Sequence, residues 1–231
     1  MTSLENQQIE GTITLTQGQH TITLSTKNII DMFHIFYYNS RVWERTTWMG
    51  FPVLKCPLDT WIYQEIICAL VPDVIIETGT YYGGSALFMA SVCDLIGKGI
   101  IITVDIEEQK IKPNHPRINY LSGSSTSKEI LDQITNLIGN KKNILVILDS
   151  DHSKNHVLNE MRLYSKFVSQ DSYLIVEDSN INGHPVRPDF GPGPMEAIEI
   201  FMQENRDFMI DRSKEKFFMT QNPKGFLKKI R

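Results

Sequence analysis

The sequence predicts an α/β protein built on a doubly wound, mainly parallel sheet. Three observations carry that prediction. Short continuous apolar runs at 74–76, 100–104, 144–148 and 173–176 read as strands buried on both faces. Stretches of helical apolar spacing lie between and after them, at 85–96, 127–138 and 153–168. Glycine-rich or acidic segments follow the strands, and doubly wound sheets bind their ligands at that end.

Composition agrees with one folded unit. The 231 residues are 41% hydrophobic and 22% charged, which excludes disorder throughout. The formal net charge of −4, from 23 Lys+Arg against 27 Asp+Glu, lacks the basic excess of a nucleic-acid binder. No apolar run approaches the roughly 18 residues of a membrane span, and the polar start MTSLENQQIEGTITL does not read as a secretory signal. Cys56, Cys68 and Cys93 are odd in number and show no CxxC spacing, so neither a disulfide framework nor a thiolate zinc site is expected; a reducing cytoplasm is the expected location.

From the N-terminus, residues 11–25 alternate Ile and Leu with Thr around Gln17-Gly18-Gln19 and read as a hairpin with one apolar face. A lone hairpin is marginal in water, so this one must cover the body of the domain or a second subunit, and a homo-oligomer is open. Residues 29–58 are rich in aromatics (Phe33, Phe36, Tyr37, Tyr38, Trp43, Trp48, Phe51), read either as a helix and loop packed on the domain or as the wall of a ligand pocket. Residues 1–58 are thus expected as an extension and 59–231 as the main domain, with Asp59 capping a helix through Trp61, Ile66 and Leu70. Residues 118–121 read as a weaker strand, Glu196 to Phe201 opens a last helix, and 208–210 is expected to pair antiparallel with 217–219.

The strand ends carry the chemistry. The first buried strand runs into Glu77-Thr78-Gly79-Thr80-Tyr81-Tyr82-Gly83-Gly84-Ser85. Three glycines in a strand-to-helix turn let a ligand approach the main chain. The spacing is not the G-x-G-x-x-G of dinucleotide binders. A carboxylate at Glu77 would repel a pyrophosphate but suits a cationic ligand, and S-adenosylmethionine carries an ammonium and a sulfonium. Asp105, ending the next strand, is placed to accept hydrogen bonds from ribose hydroxyls. Gly123-Ser124-Ser125 lies where an adenine edge would fall, or is an ordinary helix cap. Asp149-Ser150-Asp151-His152-Ser153 and Glu177-Asp178 end two neighbouring strands. Carboxylates gathered at one rim repel unless something neutralises them, and a hard divalent cation such as Mg²⁺ would do so. The expected ligands are Asp151, Glu177 and Asp178, with Asp149 as a substitute or supporting partner that also belongs to the cofactor-side set. His152 reads either as a general base or as a residue orienting a carboxylate; His156 and His184 are further candidates. The Gly/Pro segment 180–194 is expected to form a loop over the pocket, bringing His184 and Arg187 to the substrate.

These residues resemble a known family. Trp48-x-Gly50-x-Pro52, Pro57-x-Asp59, Glu77-Thr78-Gly79-x-x-x-Gly83-Gly84-Ser85, Asp149-Ser150-Asp151-His152-Ser153, Glu177-Asp178, Gly191-Pro192-Gly193-Pro194 and Thr220-x-Asn222-Pro223-x-Gly225-x-Leu227 are similar to motifs of the cephalosporin hydroxylase/rhamnosyl O-methyltransferase family. The resemblance spans about residue 40 to the C-terminus. It implies a seven-stranded, Rossmann-like class I methyltransferase using S-adenosylmethionine and Mg²⁺, acting on a hydroxyl of a sugar or another small metabolite in glycolipid, polysaccharide or natural-product biosynthesis. His152 or the Asp151 carboxylate would take the proton. No two-His–one-carboxylate iron set matches the hydroxylase label. The competing readings are a nucleotide-dependent oxidoreductase on the same sheet and a non-catalytic binding protein that kept the fold.

Overall fold

A computed structural model describes residues 11–107 and 112–231. Leading from the N-terminus come a hairpin, β1 (Thr12–Gln17) and β2 (His20–Ser25), and a helix, α1 (Thr26–Asn39), which Ser25 caps through Asn28 N at 3.1 Å. Two short strands, β3 (Thr47–Trp48) and β4 (Phe51–Pro52), precede α2 (Pro57–Leu70). The central sheet and its helices follow in chain order: β5 (Val74–Thr78), α3 (Gly84–Leu95), β6 (Ile100–Asp105), β7 (Ile118–Ser122), α4 (Lys128–Ile138), β8 (Ile144–Leu148), α5 (Lys154–Tyr164), β9 (Tyr173–Val176), α6 (Pro194–Glu204), β10 (Phe208–Ile210) and β11 (Phe226–Lys229).

The main sheet has seven strands in the order β10-β11-β9-β8-β5-β6-β7. β7, β6, β5, β8 and β9 are parallel, while β11 runs antiparallel to both β9 and β10. Apolar residues on alternate positions feed two cores. Val74, Ile76, Val146 and Leu174 face α4, α5 and α6 through Ile134, Met161 and Ile198. Ile75, Ile101, Leu145 and Ile175 face α2 and α3 through Ile66 and Met89. Burial on both faces is why these strands read as continuous apolar runs.

The chain winds outward from β5 through β6 to β7, then crosses back to β8 on the other side of β5. The switch point therefore lies between the ends of β5 and β8, where a crevice opens. Ladder bonds continue one residue past each strand: Gly79 N donates to Val104 O (2.8 Å), Asp149 N to Thr78 O (3.0 Å) and Glu177 N to Leu148 O (3.0 Å). Gly79, Asp149 and Glu177 are thus clamped in one row.

Three expectations are corrected. Phe217 and Phe218 form no strand; β10 pairs instead with β11, Phe208 opposite Lys229. The lysines of Phe226-Leu227-Lys228-Lys229 disguise a strand whose first two residues are fully buried, one in each core. α5 ends at Tyr164, and Val168 is buried beyond it rather than in it. Asp59 does not cap α2: the N-cap is Cys56, and the Asp59 carboxylate accepts from Thr220 Oγ1 (2.5 Å) and Gln221 N (2.8 Å).

Gly79 permits the close approach of β5 and β8. Its φ is +87°, and a Cβ there would lie 1.8 Å from the Asp149 carbonyl oxygen. Gly79→Ala should therefore cost about 3 kcal/mol or more, combining a left-handed backbone with a main-chain collision. A denaturant midpoint unchanged from wild type would show that the crevice floor can yield.

Candidate active site

A cleft of about 740 Å³ lies over the carboxyl ends of β5, β6 and β8. Its floor is Gly79 and Asp149. Asp105, Ser124 and Ser125 line it from the ends of β6 and β7, and Tyr38, Trp43, Arg187 and Phe190 line it from α1 and from segments outside the sheet. Thr80, Tyr81, Gly84, Ser85, Asp151, His152, His156 and Asp178 also line it.

Most of the residues expected to contact a cofactor meet in this cleft: Gly79, Thr80, Tyr81, Gly84, Ser85, Asp105, Ser124 and Asp149. Asp105 accepts from Tyr81 N at 2.7 Å, which fastens the glycine turn to the end of β6. Glu77 and Gly83 do not line the cleft. Glu77 is fully buried, with one carboxylate oxygen accepting from Ser85 Oγ and the other from Thr103 Oγ1 at 2.7 Å. Burial pushes its carboxyl up to about 7, against the pull of Lys55 and the two hydroxyls. Glu77 thus braces the turn from behind. Gly83 instead faces Pro113 and Tyr120.

The acids at the rim fall into two groups. Ligand atoms of Asp149, His152 and Asp178 lie within 4.8 Å of one another. His152 Nε2 is 3.3 Å from Asp178 Oδ2. Asp178 sits at φ 54°, held by its N–H donating to Asn222 Oδ1 at 3.1 Å. Burial pushes the Asp178 carboxyl up, opposed by His152. Asp151 and Glu177 are not in this triple. Asp151 accepts from Ser153 N at 2.7 Å, at the start of α5, and these Ser153 hydrogen bonds hold its pKa below the usual carboxylate range. Glu177 is 5% exposed and is engaged by a residue that the sequence reading overlooked.

That residue is Lys55. It reaches in from the segment before α2, is 3% exposed, and places Nζ 2.6 Å from Asp149 Oδ2 and 2.5 Å from Glu177 Oε1. Burial opposes its charge, but Asp149, Glu177 and Glu77 together outweigh that and raise its pKa above the ordinary lysine value. The signal was present: a single lysine in Val53-Leu54-Lys55-Cys56-Pro57, beside a rim of acids that required a cation. The segment is tied down by Cys56 N donating to Gln221 Oε1 at 3.2 Å.

The histidines part company. His156 lines the cleft, with Nε2 3.3 Å from Ser125 Oγ and 3.2 Å from Ser150 Oγ, and Glu160 raises its pKa. His184 does not line it: with Asn182 it bonds Glu196, which also accepts from Gly193 N, so it fastens the 180–193 loop to α6. Arg187 does face the cleft, with its guanidinium carbon 5.5 Å from the Phe190 ring centre; burial raises the Tyr38 pKa, and the nearby Arg187 charge opposes that. The aromatic extension serves both readings made of it. Tyr38 and Trp43 stack at 5.4 Å in the cleft wall, whereas Trp48 packs edge-on against Phe88 of α3 at 5.1 Å.

A seven-stranded sheet of this order, with one antiparallel strand inserted near its end and an acid-rimmed cleft at the switch point, defines a class I, S-adenosylmethionine-dependent methyltransferase. The family model described as rhamnosyl O-methyltransferase/CmcI matches residues 40–230, and the chain belongs to that family. It is 45% identical over 206 residues to a rhamnosyl O-methyltransferase of Mycobacterium tuberculosis, covering 86% of this chain and 84% of that one. The Mycobacterium leprae rhamnosyl O-methyltransferase is 44% identical over 208 residues, covering 87% and 91%. Among solved structures, apo CmcI shares the fold with a TM-score of 0.63 at 19% identity, covering 81% of this chain and 77% of that one. A CmcI structure with Mg and SAM gives 0.61 at 19%, covering 81% and 78%.

Lys55→Met should destabilise the fold by about 3–5 kcal/mol, since it strands two carboxylates around an apolar side chain. Lys55→Met combined with Glu177→Gln should recover part of that loss. A double-mutant cycle by urea denaturation reads the coupling, and strictly additive effects would mean that the ion pair does not form.

Proposed function

We propose that this protein transfers the methyl group of S-adenosylmethionine to a hydroxyl of a sugar, with Mg²⁺ held at the cleft rim. The acceptor class follows the curated relatives, which are named rhamnosyl O-methyltransferases; a rhamnosyl-type deoxyhexose unit on a larger glycoconjugate is the acceptor favoured. The observation that carries the reading is the convergence of Asp149, His152 and Asp178 beside the Gly79 turn. Two carboxylates and a partly open cleft suit a small hard cation that keeps some of its waters.

When bound, S-adenosylmethionine supplies an electrophilic methyl, and Mg²⁺ lowers the pKa of a coordinated hydroxyl and fixes its oxygen. The rest falls to the chain. Asp105 accepts from the ribose hydroxyls while remaining tied to Tyr81 N, and Ser124 and Ser125 border the adenine end. Asp149 and Asp178 would hold the cation, Asp151 lines the same cleft, and Glu177 would back them through Lys55. His152 would take the acceptor proton, with Asp178, 3.3 Å from its Nε2, stabilising the charge that results. Tyr38, Trp43, Arg187 and Phe190 give the sugar an aromatic wall with one cation. With a donor that is already electrophilic, these residues would serve by positioning the acceptor more than by acid catalysis.

Calorimetry should show S-adenosylmethionine binding in roughly the micromolar range; no binding would remove the reading. EDTA should abolish turnover on a rhamnosyl acceptor and Mg²⁺ restore it, and Asp178→Asn should lose the Mg²⁺ response while still binding the methyl donor. His152→Ala should lower kcat by about 10²–10⁴ with little change in donor affinity. Full activity in EDTA would reduce the acidic triple to a structural feature.

A further inference from the structure

α5 brings a further polar cluster to the cleft, apart from the acidic rim. His156, Glu160 and Tyr164 are spaced four residues apart and so share one face of that helix. Glu160 and Tyr164 are fully buried. The Tyr164 hydroxyl donates to Ser125 O at 2.8 Å, which fixes the turn after β7. Ser150 Oγ donates to Glu160 Oε1 at 2.8 Å, while Glu160 Oε2 has no hydrogen-bond partner among the described residues. The His156 imidazole stands among these groups, with Nε2 3.3 Å from Ser125 Oγ, 3.2 Å from Ser150 Oγ and 3.4 Å from Glu160 Oε1. Its hydrogen bonds to described residues all run through Nε2. The ring is not sealed in: it is 27% exposed and lines the cleft with Asp105, Ser124 and Ser125.

A carboxylate with no exposure and one oxygen unpartnered needs a counter-charge. Among the described residues, the cationic group within ion-pair distance of Glu160 is His156. The Glu160 hydrogen bond and charge raise the imidazole pKa against burial, and Asp151 adds to that. An imidazolium has two N–H donors. Nε2–H serves the two serines and Glu160, and Nδ1–H is left.

We propose that His156, held by Glu160, recognises the purine ring of the methyl donor, with Nδ1–H donating to a ring nitrogen of adenine. This rests on the methyl-donor reading of the cleft and assigns the end of the donor that Ser124 and Ser125 border. Adenine suits such a partner, because its ring nitrogens accept hydrogen bonds and the base carries no charge. The sulfonium and ammonium at the other end of the donor are repelled by the same imidazolium. The pair therefore also sets which way round the donor lies.

Two other uses of His156 fit less well. A general base needs a lone pair facing the acceptor hydroxyl, and an imidazolium has none; it is His152 that stands with Asp149 and Asp178. A purely structural role uses Nε2 alone and leaves the open side of the ring without a task.

The test is calorimetric binding of S-adenosylhomocysteine and of its 1-deaza, 3-deaza and 7-deaza counterparts, each lacking one ring acceptor. Wild type should bind one of the three about tenfold to a hundredfold more weakly than the parent compound, the range of a hydrogen bond from a charged donor. His156→Ala is combined with Glu160→Gln, so that no buried carboxylate is stranded. That variant should keep the wild-type circular dichroism, bind the parent compound more weakly by a similar factor, and no longer distinguish it from that analogue. Wild type that binds all four alike overturns the proposal, as does a variant that keeps the wild-type ranking of the four. Those outcomes leave the methyl-donor reading standing. Wild type that binds neither S-adenosylmethionine nor S-adenosylhomocysteine overturns both.

Discussion

The Lys55 ammonium between Asp149 and Glu177 is the contact on which the site depends. Doubly wound sheets gather strand ends at one rim, and this chain puts acids on three neighbouring ends. Each acid is handled differently. Glu77 is wrapped by two hydroxyls and its carboxyl pushed up to about 7 by burial. Asp149 and Glu177 share one buried ammonium. Asp178 has only His152 beside it. With Asp149, Glu177 and Asp178 all ionised against Lys55 alone, two negative charges remain uncompensated. Like charges at this spacing drive one another toward protonation. A divalent cation is the smallest addition that lets all three carboxylates stay ionised together.

Lys55 can stand there only because distant parts of the chain hold its segment. Asp59, one turn into α2, accepts from Thr220 Oγ1 and Gln221 N. Gln221 returns a side-chain acceptor to Cys56 N, next to Lys55. Asn222 donates to the Tyr63 hydroxyl and accepts from Asp178 N. One short C-terminal segment thus fixes the lysine that neutralises two carboxylates and the backbone of the third. This explains why Pro57-x-Asp59 and Thr220-x-Asn222, more than 150 residues apart, belong to one arrangement. Asp59 bears a cost: burial raises its carboxyl to about 7, and the hydrogen bonds from Thr220 and Gln221 oppose that shift.

How much of this could be read beforehand follows from the range of each interaction. The parallel strands were legible because burial on two faces leaves a local pattern of apolar residues. Gly79, Asp105, Asp149 and Asp178 were legible because topology puts strand ends together whatever the side chains do. β11 was not, since its position inside the sheet is set by β9 and β10 rather than by Phe226-Leu227-Lys228-Lys229 itself. Lys55 was not, because nothing local distinguishes a buried lysine from a solvated one. The partners of Asp149, Asp151 and Glu177 were not legible either, since they come from elsewhere in the fold or from local turn geometry: Ser153 N for Asp151 and Lys55 for the other two.

The two walls of the cleft differ in how they are built, and this separates chemistry from acceptor choice. Asp105, Ser124 and Asp149 sit within two residues of strands whose ladder bonds fix their backbone. Tyr38, Trp43, Arg187 and Phe190 come from α1 and from segments outside the sheet. Changing a loop side chain leaves the ladder intact, whereas moving Asp149 would disturb β5, Lys55 and Gly79 together. Loops on a rigid scaffold are where specificity can vary at little cost in stability. One sheet can therefore keep the same donor and cation geometry while presenting different walls to different sugars. In this chain that side is aromatic and carries the Arg187 guanidinium, which lies over the Phe190 ring. An aromatic wall of this kind offers stacking to the apolar face of a ring-shaped ligand.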